Sequence, residues 1–452
     1  MHDAPLAAPG RGWECPIEVR LITRNNRKIF EEMKMKTKLI TIGVLALVLA
    51  LLLTLVPGCG KGEEGPPAGV TPTPGVTPTP TPTPKVLKIG VVASLSGPAA
   101  AWGVAHDLGV RWAAQDINDA GGLKVGRDTY MIQVVSCDDK CVASVAAECA
   151  TRLIHDEGVK FALGPIVTVP ATRGIFNDAK VINFYLSTVN LDPNQRYVFN
   201  GNVSGDAWVE TWIKQSSEAR PEVKTLAVIN PTTVSGQEWM ARHKAMAPKY
   251  GLTVVAEKFF DPATTDFYPI LTKIIQGKPD AISLDGSAPG SQVLITKQAR
   301  ELGYTGWIQQ PSPVPVALLK ASMPISYLYN IATNEEVFSE PVFTQSVRDL
   351  NARFLKLYAK PGESMNTCTI HGYAHVSCLA KAIEQAGSID VEEVLKVLDD
   401  PNFRFNRIYV ENAKIGGFET FGVRRQFPHF QAYSEIKDGV LTTLKAQIVE
   451  VP

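Results

Sequence analysis

Residues Ile89 to Gly122 read IGVVASLSGPAAAWGVAHDLGVRWAAQDINDAGG. Ile89 to Leu95 is a continuous apolar run, as a strand buried on both faces requires, and Ser96, Gly97 and Pro98 end it with turn chemistry. A helix is expected next. Ala105, Leu108, Gly109, Trp112, Ala113 and Ile117 recur at spacings of three and four, which places His106, Asp107, Arg111 and Asp119 on the outward face. Gly121 and Gly122 stop it. Strand, glycine turn and helix form the first half of a βαβ unit, and open α/β sheets bind ligands outside the carboxyl ends of their strands. The turn from Ser96 to Gly103 is therefore the first candidate for a binding surface.

Beyond this unit, short apolar runs alternate with helical periods. The strands are expected at Tyr130 to Val135, Lys160 to Leu163, Val181 to Leu186, Thr225 to Ile229, Leu252 to Val255, Ala281 to Leu284 and Tyr327 to Ala332. Such alternation predicts an α/β fold with parallel sheets covered by helices. The 452 residues, 45% hydrophobic and 20% charged, exceed what one core supports. Lys plus Arg balances Asp plus Glu at 45 each, so the sequence carries no electrostatic footprint for nucleic acid.

Four motifs carry a resemblance. LSGPAAAWG, QDINDAGGLKVG, SCDDKC and LGPIVT together are similar to the type I periplasmic solute-binding proteins of ABC importers, in the leucine/isoleucine/valine-binding branch, from about Lys85 to the C-terminus. The resemblance implies two doubly wound α/β lobes joined by a three-crossing hinge, the type I periplasmic binding protein fold. The crossings are expected near Ser204, Thr333 and Gln426, giving one lobe of about 86–204 and 334–425 and another of about 205–333 and 426–452. It also implies a small-molecule solute, an amino acid or related carboxylate or amide, held between lobes that close like a hinge.

In the resembling amino-acid binders, hydroxyls and main-chain groups of two loops hold the ligand's carboxylate. Here those loops are Gly164 to Val169 and Leu186 to Val189, with Thr168, Ser187 and Thr188 as the hydroxyls. An aromatic after SGP packs on the ligand, a place held by Trp102, and an acid near the start of the second lobe meets the ammonium, for which Asp206 is the match. The chain departs from the family at two tyrosines, where Ser235 and Ser287 stand, which implies a more polar or roomier second-lobe wall.

The N-terminal part reads differently. Residues 1–32 lack a sustained apolar period and precede a start-like MKMKTK, so they read as a misassigned start region. Residues 33–58 form a basic and then apolar signal peptide, and VPGC places Cys59 where a lipoprotein is acylated; the alternative is a retained transmembrane anchor. Lys61 to Pro84, within a linker of 59–84, reads KGEEGPPAGVTPTPGVTPTPTPTP, a Thr/Pro-rich stalk or simply a solubilising tail.

Seven cysteines include Cys137, Cys141 and Cys149. Cys149 falls in a buried helical stripe and reads as a small hydrophobe. Cys137 and Cys141 flank a short loop outside the cytoplasm, where a disulfide between them or two free thiols are the alternatives. In the resembling proteins a cysteine at the place of Cys141 pairs with one near the position of Val167, a bridge that cannot form here. His371, His375 and Cys378 share a helix face, which fits either a zinc set or an ordinary amphipathic helix, with a Cys368–Cys378 disulfide as a third reading. The preferred expectation is no metal and no cofactor.

No GxGxxG after a strand, GxxxxGKS or GxSxG occurs, so the dinucleotide, phosphate and hydrolase signatures fail and no enzyme is expected. The expected protein is an extracytoplasmic, lipid-anchored monomer that delivers its solute to an ABC permease. The rival reading, a ligand-binding sensor, would call for a cytoplasmic module beyond Pro452; the hydrolase reading lacks an identifiable nucleophile and base.

Overall fold

The computed structural model describes residues 84–358 and 365–452. The start region, the signal segment with Cys59 and nearly all of the linker lie outside the described residues.

Strand β1 (Lys85–Ala93) is buried on both faces from Ile89 onward and pairs in parallel with β3 (Asp128–Asp138) and β4 (Phe161–Leu163). Its apolar run needs cover on both sides and receives it: one hydrophobic cluster around Trp112 and Leu379 fills one face, and another around Leu153 and Phe176 fills the other. With β2 (Leu123–Val125), β5 (Ile182–Tyr185) and β6 (Val198–Asn200), the first sheet runs in the order β2-β3-β1-β4-β5-β6. All pairings are parallel except the β2–β3 hairpin.

The second sheet contains β7 (Thr225–Pro231), β8 (Thr253–Phe260), β9 (Ala281–Ser283), β10 (Trp307–Gln310), β11 (Ile331–Thr333), β12 (His429–Lys437) and β13 (Val440–Val449). Their order is β13-β12-β11-β10-β9-β7-β8, with the last two strands of the chain antiparallel at one edge. The lobes are thus α/β with mixed sheets.

The chain passes between the sheets after β6, after β11 and before β12. The helix Gly205–Ala219 packs on β12 and β13, whereas Thr367–Ala386 packs on Ala100–Asp119 in the first lobe. Two glycines let these last helices touch backbone to backbone: a Cβ on Gly109 would lie 2.0 Å from the Thr369 carbonyl, and one on Gly372 2.2 Å from that of His106. A bridge between Asn200 and Gln426 ties the first and third crossings together.

Three sequence expectations change. His106 is fully buried, because the glycine contact brings the helix Thr367–Ala386 against the face that carries it. The run from Tyr327 begins as a 3-10 turn, Ile325–Tyr327, and becomes a strand only at Ile331. The disulfide joins Cys137 to Cys149, not Cys137 to Cys141, and Cys141 is a free thiol. The physical reason is that β3 and the helix Ala143–His155 bring the Cα atoms of Cys137 and Cys149 to 5.6 Å, while Cys141 sits in a left-handed turn, φ 61°, among Trp102 and Leu186. Cys368 and Cys378 are both free.

Candidate functional site

A cavity of about 180 Å³ lies between the lobes. The loops after β1, β4 and β5 form one wall with Trp102, Val167, Ser187 and Thr188; the segments after β7, β8 and β9 form the other with Ser235, Trp239, Phe260 and Gly286. Asn202 and Trp208, at and just after the first crossing, His371 in the helix Thr367–Ala386 and His429 at the start of β12 form the floor. This is the location that the carboxyl-end rule assigns to ligands in parallel α/β sheets.

Four of the seven sequence candidates, Trp102, Ser187, Thr188 and Ser235, line the cavity. The Trp102 ring is 8% exposed, and its Nε1 donates to the Pro313 carbonyl of the opposite lobe at 2.7 Å. A second link, from Gly290 N to the Pro98 carbonyl at 3.2 Å, also spans the lobes. The residue expected to touch the ligand is therefore also a latch between the lobes.

The other three stand elsewhere. Thr168 lies behind the wall, where its hydroxyl donates to Asp139 Oδ2 at 2.6 Å; that carboxylate also accepts from Ser94 and from the Cys141 amide. Ser287 is fully buried between two lining residues, and its hydroxyl has no partner among the described residues. Asp206 is half exposed, pairs with Arg242 at 2.9 Å and does not line the cavity.

Sequence reasoning did not select Trp208, Trp239, Phe260 or His429. Trp208 and Trp239 lie in the first two turns of helices that begin at the cavity, Gly205–Ala219 and Val234–Met246. Tryptophan so near a helix start after a strand or crossing was the available signal. His429 opens β12, an antiparallel strand between β11 and β13, and nothing in its neighbourhood marks it.

The histidines form a buried group. His106 Nε2 lies 3.4 Å from His375 Nδ1, and His371 stacks on His429 with ring centres 4.9 Å apart. Arg407 Nη2 donates to His371 Nδ1 at 2.8 Å, which requires that nitrogen to be unprotonated. Burial pushes His106 down to about 4, and burial first, then the Arg407 charge, pushes His371, His375 and His429 well below the usual imidazole range. Cys378 is packed in the first-lobe core, and among the described residues no His, Cys, Asp and Glu side chains assemble in a metal-holding group.

Among the described residues, no Asp, Glu, Lys or Arg lines the cavity. Three acids adjoin the lining in sequence without joining it: Asp261, between Phe260 and Pro262, is exposed; Glu238, before Trp239, pairs with Arg242 at 3.1 Å; and Asp285, next to Gly286, is buried, accepts from the Gly286 amide at 3.0 Å and from Ser312 at 3.3 Å, and burial pushes its carboxyl up to about 8. Glu336 accepts from the Thr367 hydroxyl, and burial raises both it and Glu335. With seven hydroxyl-bearing residues, Ser187, Thr188, Thr233, Ser235, Ser291, Ser312 and Thr367, beside its aromatic walls, the cavity can enclose an apolar body and orient a polar group.

A family model described as periplasmic binding protein matches residues 86–418. The leucine-, isoleucine-, valine-, threonine- and alanine-binding protein of Pseudomonas aeruginosa is 24% identical over 378 residues, covering 79% of this chain and 92% of that one. Among solved structures, the branched-chain amino acid transporter substrate-binding protein LivJ of Streptococcus pneumoniae, in complex with isoleucine, has a TM-score of 0.69 at 21% identity, covering 81% of this chain and 99% of that one. A solute-binding protein of an ABC transporter from R. palustris, in complex with benzoate, has a TM-score of 0.65 at 18% identity, covering 80% and 96%.

Proposed function

The chain belongs to the periplasmic binding protein family, and from that premise we propose that it is the extracytoplasmic solute-binding component of an ABC importer. Its relatives are binding proteins, and it is not an enzyme. In this reading lobes of about 86–204 with 334–425 and 205–333 with 426–452 close over a small carboxylate or amide, an amino acid or a related compound, and present it to a membrane permease. Acylation at Cys59 tethers the mature monomer, and the Thr/Pro-rich stalk gives it reach.

The observation that carries this reading is the interlobe cavity, beside which the Trp102 and Gly290 hydrogen bonds link the two lobes. Similar proteins have been seen with isoleucine and with benzoate, which share a carboxylate and little else. Ser187 and Thr188 supply hydroxyls for such a group at the cavity wall.

Mass spectrometry of the small molecule released on denaturation tests the solute class directly. A carboxylate or amide is expected, and at a hundred times its dissociation constant it should stabilise the protein by about 2.7 kcal/mol. Release of a sugar or a metal ion, with no stabilisation by any carboxylate or amide, would remove the proposal. Cys59→Ser should abolish lipidation and signal-peptide cleavage; unchanged membrane-bound mature protein would remove the anchor.

A further inference from the structure

Building on that functional reading, we infer that the solute is an aromatic or similarly apolar monocarboxylate with no ammonium group. Four observations lead there.

The first is field. The helices Ala100–Asp119, Gly205–Ala219, Val234–Met246, Pro289–Glu301 and Thr367–Ala386 all place a residue of their first turn in the cavity lining. Helix N-termini carry partial positive charge, so their convergence favours an anion and opposes a cation.

The second is the missing counter-charge. An α-amino acid brings an ammonium that must be desolvated on closure, and such a charge is tolerated only beside an opposite one. Among the described residues, no carboxylate lines the cavity. Asp206, the residue expected for this task, is engaged by Arg242. Asp285, Glu335 and Glu336 are buried behind the lining and held towards their neutral forms by that burial.

The third is the walls. Trp102, Trp208, Trp239 and Phe260 all line the cavity, a surface suited to a ring or a branched hydrocarbon. Aromatic faces also attract quaternary ammonium groups, so that class is a named competitor.

The fourth is an unpartnered donor. His429 is 1% exposed and lines the cavity floor, and neither of its ring nitrogens has a hydrogen-bond partner among the described residues. A buried polar group of this kind calls for a partner, and a carboxylate oxygen fits a neutral imidazole N–H.

Two pairs of probes differ only in the ammonium: 3-phenylpropanoate against L-phenylalanine, and 4-methylpentanoate against L-leucine. Calorimetric titration of the full chain, unfolded and refolded to remove resident solute, should show the amine-free member of each pair binding at least tenfold more tightly. A smaller ratio in either pair, or tighter binding of glycine betaine than of all four, overturns the inference while leaving the importer reading intact. If none of the five binds, the inference also falls. If the solute released on denaturation then proves to be neither a carboxylate nor an amide, the functional reading falls with it.

Discussion

At the residue scale the site trades stability for recognition. His429 keeps two buried nitrogens without partners among the described residues, a condition that costs about 1–3 kcal/mol per unsatisfied group. His429→Leu should therefore raise the melting temperature of the empty protein and weaken solute binding at least tenfold, read by thermal melts and calorimetry; a loss on both measures would make the ring structural. Thr168→Ala should act in the opposite sense. Its hydroxyl serves the buried Asp139 carboxylate, so the unliganded protein should lose about 1.5–3 kcal/mol in urea unfolding. Unchanged stability with weakened binding would return Thr168 to the ligand. These two residues show why the site was only partly legible. Trp102, Ser187 and Thr188 could be found because loops after parallel strands must face the cleft. The partners of Thr168 and Asp206, namely Asp139 and Arg242, lie 29 and 36 residues away, and no local pattern reveals such pairings.

At the scale of elements, the parallel strands were legible and the edges were not. β1, β4, β5 and β7 are short, apolar and buried on both faces, a pattern with no competing helical reading once glycine and proline bound it. β12 and β13 mix buried and exposed residues irregularly, with a register shift at Tyr433 and Ser434, so neither period is clean. The contact between Ala100–Asp119 and Thr367–Ala386 was equally hidden, because glycine in a helix ordinarily reads as a weakness. Gly372→Ala tests its role. Alanine gains up to about 1 kcal/mol in helix propensity, but its Cβ would stand 2.2 Å from the His106 carbonyl, and overpacking of that kind costs about 1–3 kcal/mol. The contact is with backbone, which cannot rotate away, so the urea midpoint should fall; a rise would mean the helices separate freely. Closure rests on a smaller element contact. Trp102→Phe keeps a ring in the wall but removes the donor to Pro313, and one such bond is worth about 0.5–1.5 kcal/mol. Affinity should fall by about three- to tenfold, with the scattering radius of the liganded protein shifted towards that of the empty form. An unaltered radius and affinity would deny the latch.

For the whole molecule, the buried titratable groups set how stability responds to pH. Five histidines, His106, His243, His371, His375 and His429, are held below the imidazole value of 6.5 by burial. For each, the unfolded chain takes up a proton before the folded one does, so stability falls as pH drops below about 6.5. Asp285, Glu335 and Glu336 are displaced the other way, from 3.8 and 4.5 upward, to about 8 for the first two. An acid whose folded value is raised contributes fully below its unfolded value and loses that contribution as pH climbs towards the folded one. Between about 4.5 and 6.5 the two sets oppose each other, and five histidines against three acids leave stability rising with pH. Above 6.5 the histidines are neutral in both states and only the acids act, so stability should decline until about pH 8. His243 and Asp285 do not cancel as an ion pair, since Nε2 and Oδ2 lie 3.9 Å apart and burial drives both towards neutrality. Urea unfolding from pH 5 to pH 8.5 should therefore show a maximum near 6.5. Asp285→Asn, which removes one of the three acids, should make the descending limb shallower and the ascending limb steeper. A stability that climbs steadily to pH 8 would mean that the three carboxyls are ionised in the folded protein. The cavity would then have negative charge behind its walls, and an ammonium-bearing solute would regain its place.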